Sequence, residues 1–264
     1  EDDYTANLAQ EVPDLHEEYE VVLHAAGKAH VVPKTDAEKK AFFDINYQGT
    51  VHLCRALEKS GIPKAFIFIS TVAVYGCEYG ENITEEHPLN GTTPYAVSKR
   101  MAEEYLQEWC HNHNVILGIL RPSLIAGPNP PGNLGAKKGI ESGKYFSIGG
   151  GKVRKSVLMV EDIARLVPLL TKKGGIYNVC DDSQPTFHEL EQLIAKQLRK
   201  PLPHNIPYRL AKCMALTGDC LGSKVPFNSL KLKKITKSLT FSNEKAKREL
   251  GWAPLNVTEC FKIR

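Results

Sequence analysis

Tyr95 and Lys99, four residues apart in the run PYAVSK, carry the clearest chemical signal in this sequence. On a helix that spacing puts both side chains on one face, one turn apart. A tyrosine phenol, with an ordinary pKa of about 10, is a poor base near neutrality. An ammonium one turn away, helped by a second cation in a partly desolvated cleft, stabilises the phenolate. Lowering the pKa by about three units takes roughly 4 kcal/mol, which two nearby positive charges can supply. The pair alone fits many ordinary surface helices, so its surroundings decide its meaning. Upstream, the apolar run Phe66–Ile69 ends in two hydroxyls, Ser70 and Thr71. Open α/β sheets present reactive groups at such strand ends, and Thr71 is placed to hydrogen-bond the substrate oxygen that Tyr95 deprotonates.

These groups need a rigid frame, and the pattern along the chain supplies one. Tyr19–Ala25, Ala65–Ser70 and Val115–Leu120 are short apolar runs without polar alternation, the signature of strands covered on both faces. Between them, Lys39–Lys59 and Pro94–His113 have helical periodicity, the second opened by a proline at a tolerated position. Later, Tyr145–Ile148, Ser156–Val160 and Gly175–Val179 read as short strands and Glu161–Leu170 and Thr186–Arg199 as helices, the last with a Thr186–Glu189 capping box. Pro201–Pro207 reads as a connector and Ser242–Leu250 as a polar helical tail. The expected fold is α/β: a doubly wound parallel sheet with a smaller mixed C-terminal lobe, the ligand lying between them at the carboxyl ends of the strands.

Bulk properties narrow the classes. The 264 residues are 42% hydrophobic and 24% charged, with a net charge of +4, the balance of a globular protein with room for a phosphate-bearing ligand and no case for nucleic acid. No 18-residue apolar run offers a membrane span. Seven dispersed cysteines without CxxC spacing suggest free thiols, no metal site and a cytoplasmic location. Lys231, Lys233, Lys234 and Lys237 read as a solvated helix face.

The pieces HAAG (24–27), DINYQGT (44–50), FISTVAVYG (68–76), PYAVSK (94–99) and LRP (120–122), followed by VEDIAR, IYNV and SNEKAKRELGWAP, occur in the order seen in extended short-chain dehydrogenases/reductases. From about Glu20 onward the chain resembles the sugar-nucleotide epimerases and dehydratases of that family. The resemblance implies a Rossmann-like fold, with residues 1–130 forming the dinucleotide-binding part and 131–264 mainly the substrate lobe, 155–185 partly returning to the sheet. It implies that NAD, or NADP, is the cofactor and that Tyr95 is the catalytic acid or base. Lys99 then holds the nicotinamide ribose and tunes Tyr95, and Thr71 orients the substrate hydroxyl. Asn46 supports the active-site helix, Ala25, Ala26 and Gly27 pass close to the cofactor with Ser70 nearby, and Pro122 sits by the nicotinamide. On the substrate side, Asn133 and Leu134 resemble the pair that opens the substrate helix of 4-epimerases. Arg154, in the glycine-rich loop 149–154, resembles the arginine that pairs with the diphosphate. Family members often dimerise through the helix carrying YxxxK and the helix preceding the FIFIS strand.

Dehydratases and decarboxylases of the family carry acidic residues just after the Ser/Thr. Here those positions are Val72 and Ala73, which transfer no protons, so elimination is disfavoured. What remains is hydride transfer on a nucleotide-linked sugar: 4-epimerisation through a transient keto sugar or, as the alternative, reduction of a 4-keto sugar. A catalytically silent nucleotide-binding regulator is the reading from another class, and it leaves the Thr71, Tyr95 and Lys99 set unexplained. The family's glycine-rich turn has no counterpart. The chain opens on EDDYTANLAQEVPDL, which resembles the lead into the fourth strand, so roughly 50–60 residues of the family pattern, including the pyrophosphate cradle, are expected to precede it in the natural protein. The residues that separate NAD from NADP belong to that segment.

Overall fold

The computed structural model describes residues 5–127, 135–221 and 227–262. Its centre is a four-stranded parallel sheet, order β1-β2-β4-β8, made of β1 (Val21–His24), β2 (Ala65–Ile69), β4 (Ile116–Pro122) and β8 (Gly175–Val179). The period-two alternation of a strand divides the core in two. Phe66 and Phe68 of β2 and Ile119 of β4 point to one face, where Cys54 and Leu57 of α2 (Gly49–Ser60) and Ala102, Leu106 and Trp109 of α3 (Pro94–Asn112) cover them. Ile67 and Leu120 point to the other, under Leu166 and Leu170 of α5 (Val160–Lys173) and Ala246 of α9 (Glu244–Leu250). With helices on both faces, the strands need no polar side, and the expected continuous apolar runs follow.

The helix read over Lys39–Lys59 is longer and interrupted: α1 (Asp36–Phe42) begins at a Thr35–Glu38 capping box and runs through a π-helical turn, Phe43–Gln48, into α2. Beside the central sheet stand short parallel pairs. β5 (Leu124–Ala126) pairs with β7 (Val157–Met159), and β3 (Gly80–Ile83) pairs with β10 (Leu239–Phe241). β6 (Phe146–Ile148) pairs with β9 (His204–Ile206), which lies inside the proline-rich stretch read as a plain connector; three ladder residues fit between Pro203 and Pro207. Around them pack α4 (Gly135–Glu141), α6 (Phe187–Leu198), α7 (Tyr208–Leu221), α8 (Ser229–Thr236) and α10 (Val257–Cys260). The Thr186–Glu189 capping box of α6 forms as expected. Among the described residues no helix is long and apolar enough to cross a membrane.

Candidate active site

A cleft of about 680 Å³ opens at the carboxyl ends of β1, β2 and β4. β2 ends at Ile69, and Thr71 then caps a tight 3₁₀ turn, Val72–Tyr75, its hydroxyl accepting from the Ala73 amide at 3.1 Å. Gly76 ends this turn with a positive φ of 71°, and an added Cβ would lie 2.6 Å from the Asn90 carbonyl. The turn is thereby locked against the loop leading into α3, which brings the Thr71 hydroxyl close to the Tyr95 phenol. Thr93 caps α3 and Pro94 sits in its first turn, so Tyr95 and Lys99 enter the cleft from a helix start with a fixed direction.

Tyr95, Lys99, Thr71, Ser70, Ala25, Gly27 and Pro122 all line the cleft. Its electrostatics differ from the simple expectation. Burial raises the Tyr95 pKa above its ordinary 10, while the neighbouring Thr71 hydroxyl favours the phenolate. Lys99 is buried, and its pKa falls to about 7, burial outweighing the carboxylate of Glu103 one turn on. Its ammonium stands 3.9 Å from the centre of the Phe68 ring, a cation–π contact that the spacing alone did not reveal. The protein by itself therefore holds Tyr95 as a neutral phenol. Lowering its pKa requires a further cation in the cleft.

Behind these groups runs a chain of buried hydrogen bonds. The Asn46 amide nitrogen donates to Ser98 Oγ (3.0 Å) and to the Lys28 carbonyl (3.1 Å), and its oxygen accepts from the Lys28 amide (2.6 Å). Ser98 Oγ donates to the Tyr95 carbonyl at 2.9 Å. Thr50 donates to the Asn46 carbonyl (2.7 Å), so its one hydroxyl proton is used and His24 Nε2, 2.9 Å away, is the donor to Thr50. Burial, then the positive charge of Lys99, pushes His24 down to about 3, so it stays neutral. The π turn is what aims Asn46 at both α3 and the 28–29 loop, a common use of such turns. Asn46 thus acts from behind the cleft, and Ala26 is not in its lining.

A second network anchors the end of β2. Ser70 donates to Glu103, whose carboxylate is held bidentately by Arg121, Nε to Oε1 at 3.1 Å and Nη2 to Oε2 at 2.6 Å. Arg121 also donates to the Tyr75 hydroxyl (3.0 Å), which donates to Asn178 Oδ1 (2.7 Å). All five side chains are buried. Sequence reading missed Glu103 and Arg121 as partners. A charge inside an apolar strand, LRP, was the available signal.

The substrate-side expectations fare differently. Asn133 and Leu134 lie outside the described residues. The Arg154 guanidinium donates to the Gln184 carbonyl at 2.9 Å and is not in the cleft lining, because an antiparallel bridge to Thr186 ties its backbone to the start of α6. Lys28, His30, Cys77, Ser123 and Val160 line the cleft and were not anticipated. Ser123 Oγ is buried without a hydrogen-bond partner. Among the described lining residues there is no carboxylate, and Val72 and Ala73 are both there.

The residues fit the nicotinamide half of a dinucleotide. A Cβ on Gly27 would stand 3.1 Å from Asn46 Oδ1, a tight approach that glycine avoids, and 3.9 Å from Lys99 Nζ. Among the described residues no glycine-rich loop lines the cleft.

Comparison with known proteins places the chain in a family. The chain is 30% identical over 230 residues to the N-acetyl-alpha-D-glucosaminyl-diphospho-ditrans,octacis-undecaprenol 4-epimerase of Escherichia coli O157:H7, covering 83% of this chain and 69% of that protein. It is 30% identical over 213 residues to the GDP-6-deoxy-D-mannose reductase of Pseudomonas aeruginosa (74% and 66% covered). It is 27% identical over 248 residues to the UDP-glucose 4-epimerase of Vibrio cholerae (89% and 72%). In fold it matches RMD from Pseudomonas aeruginosa complexed with NADPH, with a TM-score of 0.70, 23% identity and 97% of this chain and 84% of that one covered. It also matches the UDP-glucose 4-epimerase of Thermotoga maritima with UDP-glucose, with a TM-score of 0.69, 24% identity and 91% and 74% covered. The model of the NAD dependent epimerase/dehydratase family matches residues 4–180. This chain, with its Rossmann-like sheet and its Thr71, Tyr95 and Lys99 gathered at the strand ends, belongs to the NAD-dependent epimerase/dehydratase family.

Proposed function

We propose that the protein is an NAD(P)-dependent enzyme acting on a hydroxyl of a diphosphate-linked sugar, as a 4-epimerase working through a transient keto sugar. One observation carries the reading: Tyr95, Thr71 and buried Lys99 share one cleft, and the positions after Thr71 are apolar. Tyr95 exchanges a proton with the sugar hydroxyl, and Thr71 hydrogen-bonds the same oxygen. Lys99 binds the ribose side and, when a nicotinamide is bound, adds its charge to the stabilisation of the Tyr95 phenolate. The bound nicotinamide supplies the hydride acceptor and donor. Val72 and Ala73 offer no acid or base for elimination. Lys28 and His30 at the cleft wall suit an anionic substrate, since no carboxylate among the described lining opposes it.

Reduction of a 4-keto sugar uses the same residues, and the similarity to a GDP-6-deoxy-D-mannose reductase favours it as the second reading. A silent nucleotide-binding role leaves the gathered Thr71, Tyr95 and Lys99 without a use. The seven cysteines are free, Cys54, Cys110 and Cys180 buried among them, which supports a reducing, cytoplasmic setting. A homodimer through α2 and α3 is the assembly we propose, where Tyr105 of α3 meets Tyr47 of the π turn leading into α2 edge-on, ring centres 6.3 Å apart.

The test is to incubate full-length protein with UDP-, GDP-, dTDP- and polyprenyl-diphosphate sugars and follow epimer and cofactor together. Epimer formation without net cofactor change establishes the epimerase. Stoichiometric NADPH or NADH consumption moves the assignment to the reductase, and no turnover on any keto or hydroxy sugar removes both.

A further inference from the structure

Charge is spread unevenly along this chain. Residues 199–237 hold nine lysines and arginines against a single acid, Asp219, a net charge of +8, whereas the other 225 residues sum to −4. The same stretch displays apolar side chains. Leu202, Leu210, Met214 and Leu216 are 51, 54, 47 and 52% exposed.

The packing of α7 explains how both come to the surface. This helix meets its neighbours through Ala211 and Ala215, which are buried against Leu232 of α8. Leu210 and Met214, one turn apart, form a stripe beside that seam, while exposed Arg209, Lys212 and Leu216 cover the other flank. A helix of a globular protein ordinarily buries its largest apolar residues. Here the buried seam is alanine, and the leucines and methionine stand in water beside cations. The basic edge continues on α8. Lys233 pairs with Glu78 at 3.3 Å and stands 5.3 Å from the ring centre of half-exposed Tyr79, and Lys237 stands 4.2 Å from the same ring. Two residues from Tyr79 and from Lys237, respectively, Cys77 and Leu239 line the catalytic cleft.

We propose that the exposed faces of α7 and α8 are a docking surface for an anionic lipid bilayer, with α7 lying in the plane of the headgroups. At such an interface leucine and methionine enter the boundary between headgroups and acyl chains, while lysine and arginine meet the lipid phosphates and tyrosine sits at headgroup depth. Both oddities of the surface, the charge and the exposed apolar stripe, are then satisfied by one partner. A nucleic acid would account for the cations alone, because Leu210, Met214 and Leu216 gain nothing against a phosphate backbone. Contact is peripheral, as no described helix can span a bilayer. The docked orientation sets the cleft rim, through Cys77 and Leu239, beside the membrane surface.

The experiment is flotation of full-length protein with vesicles of phosphatidylcholine alone or mixed with phosphatidylglycerol. Binding is expected to the anionic vesicles only, and to weaken in high salt. Replacing Arg209 and Lys212 together with glutamine should lower the partition coefficient about thirtyfold, at about fivefold per cation. Leu210→Ser combined with Met214→Ser should lower it at least about tenfold, the loss of two inserted apolar side chains. Thermal unfolding and turnover of a soluble substrate should be unchanged in both, since neither pair packs in the core or lines the cleft. Four results overturn the proposal: no anionic-vesicle binding, equal binding to neutral vesicles, duplex DNA competing the protein off the vesicles, or a concentration-dependent dimer that the Leu210/Met214 variant dissociates.

Discussion

Arg121→Met should lower the stability of the whole fold. The guanidinium is buried and makes two bonds to the Glu103 carboxylate, at 3.1 and 2.6 Å, and one to Tyr75, at 3.0 Å. Glu103 has no exposed surface at all. Methionine fills similar space but leaves that carboxylate with the Ser70 hydroxyl as its one remaining direct partner. Stranding one member of a buried pair costs about 3–5 kcal/mol. At about 2–4 °C per kcal/mol for a chain of this size, the melting temperature should fall by about 10 °C, within about 6 to 20 °C. Removing both charges is a different perturbation. Glu103→Met added to Arg121→Met should recover most of the loss, leaving a deficit of about 1–2 kcal/mol for the unmatched hydroxyl of Ser70. The assay is thermal unfolding by circular dichroism on full-length protein, with urea unfolding to convert degrees into free energy. A single variant melting within about 2 °C of the parent would refute the argument. So would a double variant no better than the single one.

Tyr95→Phe should cut turnover about 10²-fold or more while cofactor affinity stays near the parent's; parental turnover would remove the phenol from the reaction. Lys99→Met should abolish activity yet stabilise the fold at pH 7. The folded-state pKa of Lys99 is about 7 against an ordinary 10.5, so between those values the unfolded chain holds the extra proton, stability rises with pH, and the penalty of a few kcal/mol is complete below about 7. Melting curves from pH 7 to 10 should be flatter in the variant; an unchanged slope rejects the assignment. His24, depressed to about 3, works in the lower window: as pH falls below 6.5 the unfolded chain takes up a proton the folded one refuses, and stability drops. His24→Gln should lessen that drop between pH 6.5 and 4, measured by urea unfolding.

The parts of this fold that sequence reading captured are those that local physics decides. Phe66–Ile69 and Val115–Leu120 had to be buried strands because a continuous apolar run has no wet side. Thr186 and Glu189 form their capping box because both partners lie within one turn. β3 and β10 were not legible. They are three or four residues long, and the Asn82–Thr240 bond that joins them spans 158 positions. The π turn at 43–48 was hidden for a related reason, since its residues suit an ordinary helix and the extra residue per turn serves contacts to Lys28 and Ser98.

For the site, the sequence by itself determined which groups could react: a phenol and an ammonium at helical spacing, a hydroxyl pair ending a strand, and no acid after it. Chemistry of that kind is written in residue type and short spacing, so one chain position informs the next. Only the tertiary structure decided their state. It buried Lys99 beside Phe68 and brought its pKa to about 7, kept Tyr95 a neutral phenol, tied Arg154 to the carbonyl of Gln184, and set Glu103 against Arg121. Desolvation and pairing depend on what packs around a group from distant parts of the chain, and no local pattern encodes that.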